Sequence, residues 1–395
     1  MTIGIIKTFE GLEAIRLDWE KWQSHPNNDF AQFKMICQLR SEVESPCVTV
    51  VAQSGQPNTL LVGRLEHTQF APSIGYIRTL RIPAKVMTIL HQGELGQIDT
   101  EVALKLVEFL WSILGSGMAD AIEFHYLSDD SPLLKALQVQ RPGWLCHKKP
   151  RWTTHWEMNL PAEGAFIERK IRAKHRTGIR KKERDLDAAF PGKVLWTWMT
   201  EFDDIPSLCT RLEEVAAVAY QRGLGSGFRD NKEFRQRLAL FASRGQLRVQ
   251  LLEIDGRIRA FWYGFLYQGV FHLSETAYDP CLGKYEVGTM IFIRLNDELT
   301  KEGVRKLDFG MGDAPYKRRF GDRCWQEGTV RLFAPTAKGL VLRSYIGLFT
   351  SIDKFGRKLI EQIGFLDRLK AGWRRRMMRS SCSVKSNMVD NRLNE

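Results

Sequence analysis

The densest run of chemically useful residues is SETAYDPCLGKYEVGTMIFIRLNDELTKEGVRKLDFGMGDAPYKRRFGD, residues 274–322. Glu275 and Asp313, with Asp308 behind them, are candidate general bases, and Tyr316 and Tyr278 candidate acids. Each tyrosine could equally be a packed aromatic with a bonded hydroxyl. Tyr285 stands just before a helix whose first turn holds Val287, Gly288 and Thr289. Amides of a first helical turn lack intrahelical partners and carry partial positive charge, so a glycine there lets a phosphate come close. The other role open to Gly288 is packing of the helix against a sheet. Gly310 and Gly312 follow the next strand and permit backbone conformations closed to other residues. Two carboxylates (Asp308 and Asp313), Tyr316 and the cations Lys317, Arg318 and Arg319 thus leave one strand end, where ligands of open α/β sheets collect. Alternatively, Asp308 and Lys317 pair and cap a turn. Strand alternation puts Glu275 on the face of Leu273 and Ala277, opposite Ser274.

Positioning these groups takes a strand, a loop, a helix and a second strand. Periodicity predicts strands at 247–254 and 258–267 around an Asp255-Gly256 turn, a strand at 270–276, a helix at 287–302, a short strand at 306–309 and a last strand at 329–333. Helices at 203–222 and 228–243 precede them. The first half carries the same order: helix-rich sequence over 8–45, a hairpin at 48–64, a strand at 76–82, a helix at 99–115, a strand at 121–126 and a short helix at 132–137. This recurrence predicts two copies of one α/β (α+β) fold, each a mixed, mostly antiparallel sheet flanked by helices.

The chain has 395 residues, more than one core usually serves. We expect a first domain over 1–150, a second over 151–336 and a basic amphipathic tail over 337–395 ending in disorder. Prolines and polar aromatics punctuate a boundary near 145–165. The seven cysteines show no zinc-like spacing, and no metal is expected. His155, His175 and His272 have no partner signature. No signal peptide or membrane span is legible, so a cytoplasmic protein is expected. The net charge of +12 favours anionic partners. It concentrates at 166–184 and 354–379. The first reads as a solvated helix surface or, alternatively, a nucleic-acid contact. The second, with Phe355, Leu359, Ile363, Phe365 and Leu366 among cations, reads as a packed helix or as an interfacial segment on an anionic membrane.

The succession AYDP, KYEVG, a helix and LDFGMGDAPYKRRFGD resembles the BioF-like GNAT acetyltransferases, which include acyltransferases associated with cellulose and exopolysaccharide biosynthesis and are similar to the FemABX peptidyltransferases. The resemblance covers about residues 165–335. It implies tandem GNAT-like domains, the first degenerate and catalytically silent. It implies acetyl-CoA or another acyl-CoA as co-substrate, held by Tyr285, Val287, Gly288, Thr289, Gly310, Gly312 and Lys317. It also implies Glu275, Asp313, Tyr316 and Asp308 as the catalytic set. The acceptor would be an amine or hydroxyl of a sugar, amino sugar or envelope precursor, reached from the cytoplasm or the inner face of the membrane. Two other expectations stand beside this one: a FemABX-like transferase using aminoacyl-tRNA, and a non-catalytic scaffold of a polysaccharide-synthesis complex.

Overall fold

Short polar residues open the helices as their chemistry requires. Asp99, Ser131, Asp204 and Asn231 each accept a backbone N–H from the first turn of the helix that follows. These helices belong to a computed structural model that describes residues 1–362 apart from 75, 76, 79, 141–149, 163–165 and 224. Much of the expected 145–165 boundary, Tyr76 of the expected 76–82 strand, Cys146, Cys382 and the tail from 363 onward, with its expected disorder, lie outside the described residues.

Residue contacts divide the chain into two compact units. The first comprises Met1–His155, Met311–Asp313 and the chain from Cys324. Its strands run in the order Thr2–Ile6, Val48–Gln53, Gln56–Phe70, Ile82–Gly96, Ala121–Ser128 and Arg323–Phe333. Val86–Ile89 pair in parallel with residues 121–124, and the other neighbours in this order pair antiparallel. The helix Thr100–Gly115 spans the parallel step and buries Ala103, Leu106, Val107 and Leu110 in a core with Leu61, Ile122 and Phe124. Helices Arg16–Trp22 and Phe30–Leu39 place Trp19 and Phe33 in a separate core with Leu60 and Val62. Two corrections to the sequence reading arise here. The long strand Ile82–Gly96 was not foreseen, and the last strand, expected in the second domain, hydrogen-bonds to Ala121–Ser128 of the first unit.

The second unit comprises Trp156–Gly310 and Ala314–Arg323. The end of Arg151–Asn159 is followed across its sheet by Lys306–Met311, Val270–Tyr278, Arg257–Tyr267, Leu247–Ile254 and Val194–Met199. Pairing is antiparallel from Val270–Tyr278 to Val194–Met199, and parallel where Val270–His272 meet Lys306–Asp308. Asp255 and Gly256 both have positive φ, as a two-residue hairpin turn of twisted strands demands. The helix Val287–Lys301 spans the parallel step and buries Met290, Ile291 and Leu295 with Trp262 and Phe271. The helices Ile205–Ala216 and Lys232–Ala242 cover the other face, around Phe261, Tyr263 and Phe265. Each unit is therefore a mixed, mostly antiparallel sheet flanked by helices, in which a helix carries the chain from one strand to a parallel neighbour.

Candidate active site

The parallel pairing of Val270–Tyr278 with Lys306–Met311 ends at His272 and Asp308. The second unit holds a cavity of about 290 Å³. Glu286, Val287, Gly288 and Thr289 at the start of the Val287–Lys301 helix line it, and so do Trp262, Thr276 and Tyr278 of the sheet. Tyr220, Gln221, Tyr316 and Phe320 complete most of the wall. Glu286 is left-handed (φ 56°, ψ 35°), which turns the chain sharply into the helix. No side chain caps this turn. The Glu286 carbonyl accepts the amides of Thr289 at 2.9 Å and Met290 at 3.1 Å. The first-turn amides of Val287 and Gly288 have no intrahelical acceptor, and both residues lie in the cavity wall. A Cβ added at Gly288 would stand 3.4 Å from the Tyr278 ring, an ordinary contact, so packing alone does not require glycine there.

Aromatic rings make the rest of the wall. Tyr316 meets Trp262 edge-on at 5.7 Å, Phe309 at 5.8 Å and Phe292 at 6.4 Å. Burial raises the pKa of both Tyr316 and Tyr278, so each phenol keeps its proton at neutral pH and can donate. Among the described residues, two buried polar atoms of the lining have no hydrogen-bond partner: Trp262 Nε1, a donor, and Gln221 Oε1, an acceptor. Gln221 is oriented by its Nε2, which donates to the Thr276 carbonyl at 3.2 Å. Sequence reasoning missed Trp262, Phe292, Phe320, Tyr220 and Gln221, because in an apolar strand or helix such residues read as ordinary core.

The residues singled out from the sequence are distributed unevenly. Val287, Gly288, Thr289, Tyr278 and Tyr316 meet in the cavity wall. Glu275 does not. An extra residue, Ser274, bulges out of the strand, so Tyr263 opposes Glu275 while Gly264 opposes Leu273. The bulge breaks the predicted alternation. Leu273 packs with the Phe271 core, whereas Ala277, and Tyr263 opposite Glu275, belong to the core on the other face. Burial pushes the Glu275 carboxyl up to about 7, against a smaller lowering by Arg237. A signal for the bulge did exist: a Cβ on Gly264 would come within 2.3 Å of the His272 carbonyl, and a glycine inside a strand marks such close approaches.

Asp308 does not line the cavity; its carboxylate accepts the Gly310 amide at 2.6 Å and lies 3.2 Å from His272 Nδ1. Lys317, expected at a phosphate, is buried, and its ammonium donates to the carbonyls of Phe309 (2.7 Å) and Gly310 (3.2 Å). Gly310 and Gly312 are glycines because of their positive φ of 65° and 97°; a Cβ on either would meet open space, and neither lines the cavity. The short helix after them, Pro315–Phe320, reaches the cavity through Tyr316 and Phe320. Tyr285 lies under Lys284, with the ammonium 4.8 Å from its ring centre, and packs edge-on against Phe190. Asp313 is exposed and falls in the first unit, on the loop where the Gly312 amide donates to the Thr154 carbonyl at 2.9 Å.

Residues 173–318 match the family model described as "Acetyltransferase (GNAT) domain". That segment contains the bulged strand, the uncapped helix start and Tyr316, and its fold is of the GNAT type. No curated protein matches the sequence. Among solved structures, FemX is similar at 11% identity and a TM-score of 0.50, over 84% of this chain and 97% of that one. The C-terminal DUF2156 domain of a putative lysylphosphatidylglycerol synthetase from Agrobacterium fabrum is similar at 11% identity and 0.47, over 84% and 93%. A tandem GNAT protein from the clavulanic acid biosynthesis pathway is similar at 11% identity and 0.46, over 85% and 100%.

Proposed function

We propose that the second unit is an acyltransferase that moves an acyl group, acetyl in the simplest case, from acyl-CoA to an amine or hydroxyl. The observation that carries this reading is the uncapped first turn of Val287–Lys301, with Val287, Gly288 and Thr289 in the wall of a cavity that also presents two protonated phenols. The residues fit the carrier: unpaired amides at a helix start suit a pyrophosphate, and Lys284 adds a cation just before it. The acceptor nitrogen or oxygen attacks the thioester carbonyl, the carbon–sulfur bond breaks, and the thiolate leaves with a proton from Tyr316. The acceptor's own proton is taken up by solvent water. Acylated acceptor and free thiol result. Aromatic faces beside the unpartnered Gln221 Oε1 and Trp262 Nε1 match a polyhydroxylated acceptor such as a sugar, amino sugar or envelope precursor. In this reading the first unit is non-catalytic and the second unit carries the chemistry.

Steady-state assay of Tyr316→Phe tests the acid. We expect kcat to fall by about 10²–10⁴ with KM for acyl-CoA little changed. An unaltered kcat removes Tyr316 from the mechanism, and absence of acyl-CoA binding by calorimetry removes the whole reading.

Two features of the surface extend it. Among the described residues no helix is long and apolar enough to cross a membrane. Val341, Leu348, Ile352 and Phe355 nevertheless leave an apolar stripe exposed along Ala337–Gln362, which supports peripheral docking on an anionic membrane. The helix Ala173–Ala189 buries Ile179 and Leu186 and exposes Lys174, Arg180, Lys181 and Arg184. This basic face favours the second reading, an aminoacyl-tRNA donor, whose signature is tRNA binding that weakens steeply with salt.

A further inference from the structure

The strand Ile82–Gly96 is broken in its middle. Ile89 pairs with Gly63 and Glu94 with Leu61, so residues 90–93 bulge out opposite a single partner, Val62. The neighbouring ladder is interrupted as well: Gly328 pairs with Leu127 and Val330 with Phe124, leaving His125 and Tyr126 outside the regular register. Gln92 and Tyr126 take positive φ of 61° and 57°. Bulges and left-handed non-glycine residues are costly and re-aim side chains, and here two sit side by side.

His91 of the first bulge and His155 of Arg151–Asn159 converge on Glu327. His91 is 6% exposed, His155 1% and Glu327 0%. His155 Nδ1 lies 3.0 Å from Glu327 Oε1, and His91 Nε2 lies 3.4 Å from Glu327 Oε2. Glu327 Oε2 is a buried carboxylate oxygen with no hydrogen bond among the described residues. The ligand atoms of all three residues lie within 4.8 Å of one another. Bond lengths of about 2.0–2.1 Å to a tetrahedral zinc ion set ligand–ligand edges of about 3.3–3.4 Å, beside the 3.0 and 3.4 Å of the two histidine–carboxylate approaches. A carboxylate with no exposure needs a compensating charge beside it. The cluster is also braced from outside. Trp325 Nε1 donates to Glu327 Oε1 at 3.1 Å, and the Trp325 ring stacks on His155 at 4.3 Å. Asn27 places its amide 3.3 Å from His91 Nδ1; turned end for end, its oxygen accepts the Nδ1–H of a histidine that binds a metal through Nε2. The amide of Gln92 ends 3.4 Å from His91 Nε2; turned end for end, it offers an oxygen as fourth ligand, and its exposed residue gives the site a side open to solvent.

From this geometry we infer that His91, His155 and Glu327 form a metal site in the first unit, for a divalent ion that accepts two imidazoles and a carboxylate, with zinc as the fitting case. The site is separate from the proposed acyl-transfer chemistry, and its role is to tie three strands of the first unit together. Its ligands come from distant parts of the chain, so no spacing motif announces it.

The test uses the full-length protein purified without a metal-affinity step. After chelation, addition of Zn²⁺ and desalting, elemental analysis should find about one zinc per chain. Glu327→Gln and His155→Ala should each lower affinity by about tenfold or more. Tyr316→Phe should retain the ion, whatever its effect on acyl transfer. Zinc should also raise the Tm of the chelated wild type, and should not do so for Glu327→Gln. Should the variants fail to fold by circular dichroism, wild-type stoichiometry and its Tm response decide alone. A wild type that takes up no zinc and melts identically with and without it overturns the proposal, and marks the cluster as an imidazolium–carboxylate pair. Uptake by Glu327→Gln equal to that of wild type overturns it too.

Discussion

Lys317 is buried and Glu275 half-buried, and their environments assign them different work. The Glu275 carboxyl titrates at about 7 in the fold against an ordinary 4.5, because burial disfavours its charge. A carboxyl raised in this way costs no stability below pH 4.5, where it is protonated folded or unfolded. The cost grows as pH rises from 4.5 through 7 and is complete above that. Glu275→Gln should remove this loss, gaining up to about 3 kcal/mol at pH 8 and close to nothing at pH 4.5. Urea unfolding at the two pH values measures it. Lys317→Met should lower stability by about 1–3 kcal/mol, because the Phe309 and Gly310 carbonyls lose a buried donor. Its effect should appear in Tm rather than in affinity for acyl-CoA. Sequence alone exposed the helix-start residues and the tyrosines, since residue type and order carry that information. It could not separate a lysine aimed at a ligand from one aimed at its own backbone, because that depends on where the 315–320 turn folds back.

The helix Val287–Lys301 was legible almost to the residue, and so was the hairpin around Asp255-Gly256; apolar periodicity and turn chemistry suffice for both. Val194–Met199 was missed because VLWTWM is short and only half-buried. Ile82–Gly96 was missed because its bulge destroys the alternation that announces a strand. The helix start makes a graded prediction. Gly288→Ala should leave acyl-CoA binding within a few-fold, since a methyl fits against Tyr278. Gly288→Glu should abolish detectable binding in calorimetry, by filling the cavity wall and placing a negative charge at the amides. For the helix Ala337–Gln362, Leu348→Glu together with Phe355→Glu should remove sedimentation with vesicles containing anionic lipid while leaving that with neutral vesicles at background.

At the scale of the molecule, doubling of one α/β fold was visible in the order of elements, but not the path of the chain between the units. The first unit is not a continuous N-terminal segment. It takes Val330, Leu332 and Phe333 from Arg323–Phe333 into its cores, and that strand closes the ladder of Ala121–Ser128. A fragment of residues 1–155 should therefore lack a cooperative thermal transition, measured by circular dichroism.

The same threading orders events at the ribosome. The N-terminal unit is synthesised first yet cannot finish until residues 323–333 emerge, roughly ten to forty seconds later at ordinary elongation rates. Throughout that interval Ala121–Ser128 presents an open edge to whatever nascent or chaperone strand comes by. A stop codon anywhere upstream of residue 323 thus strands the half of the protein already made.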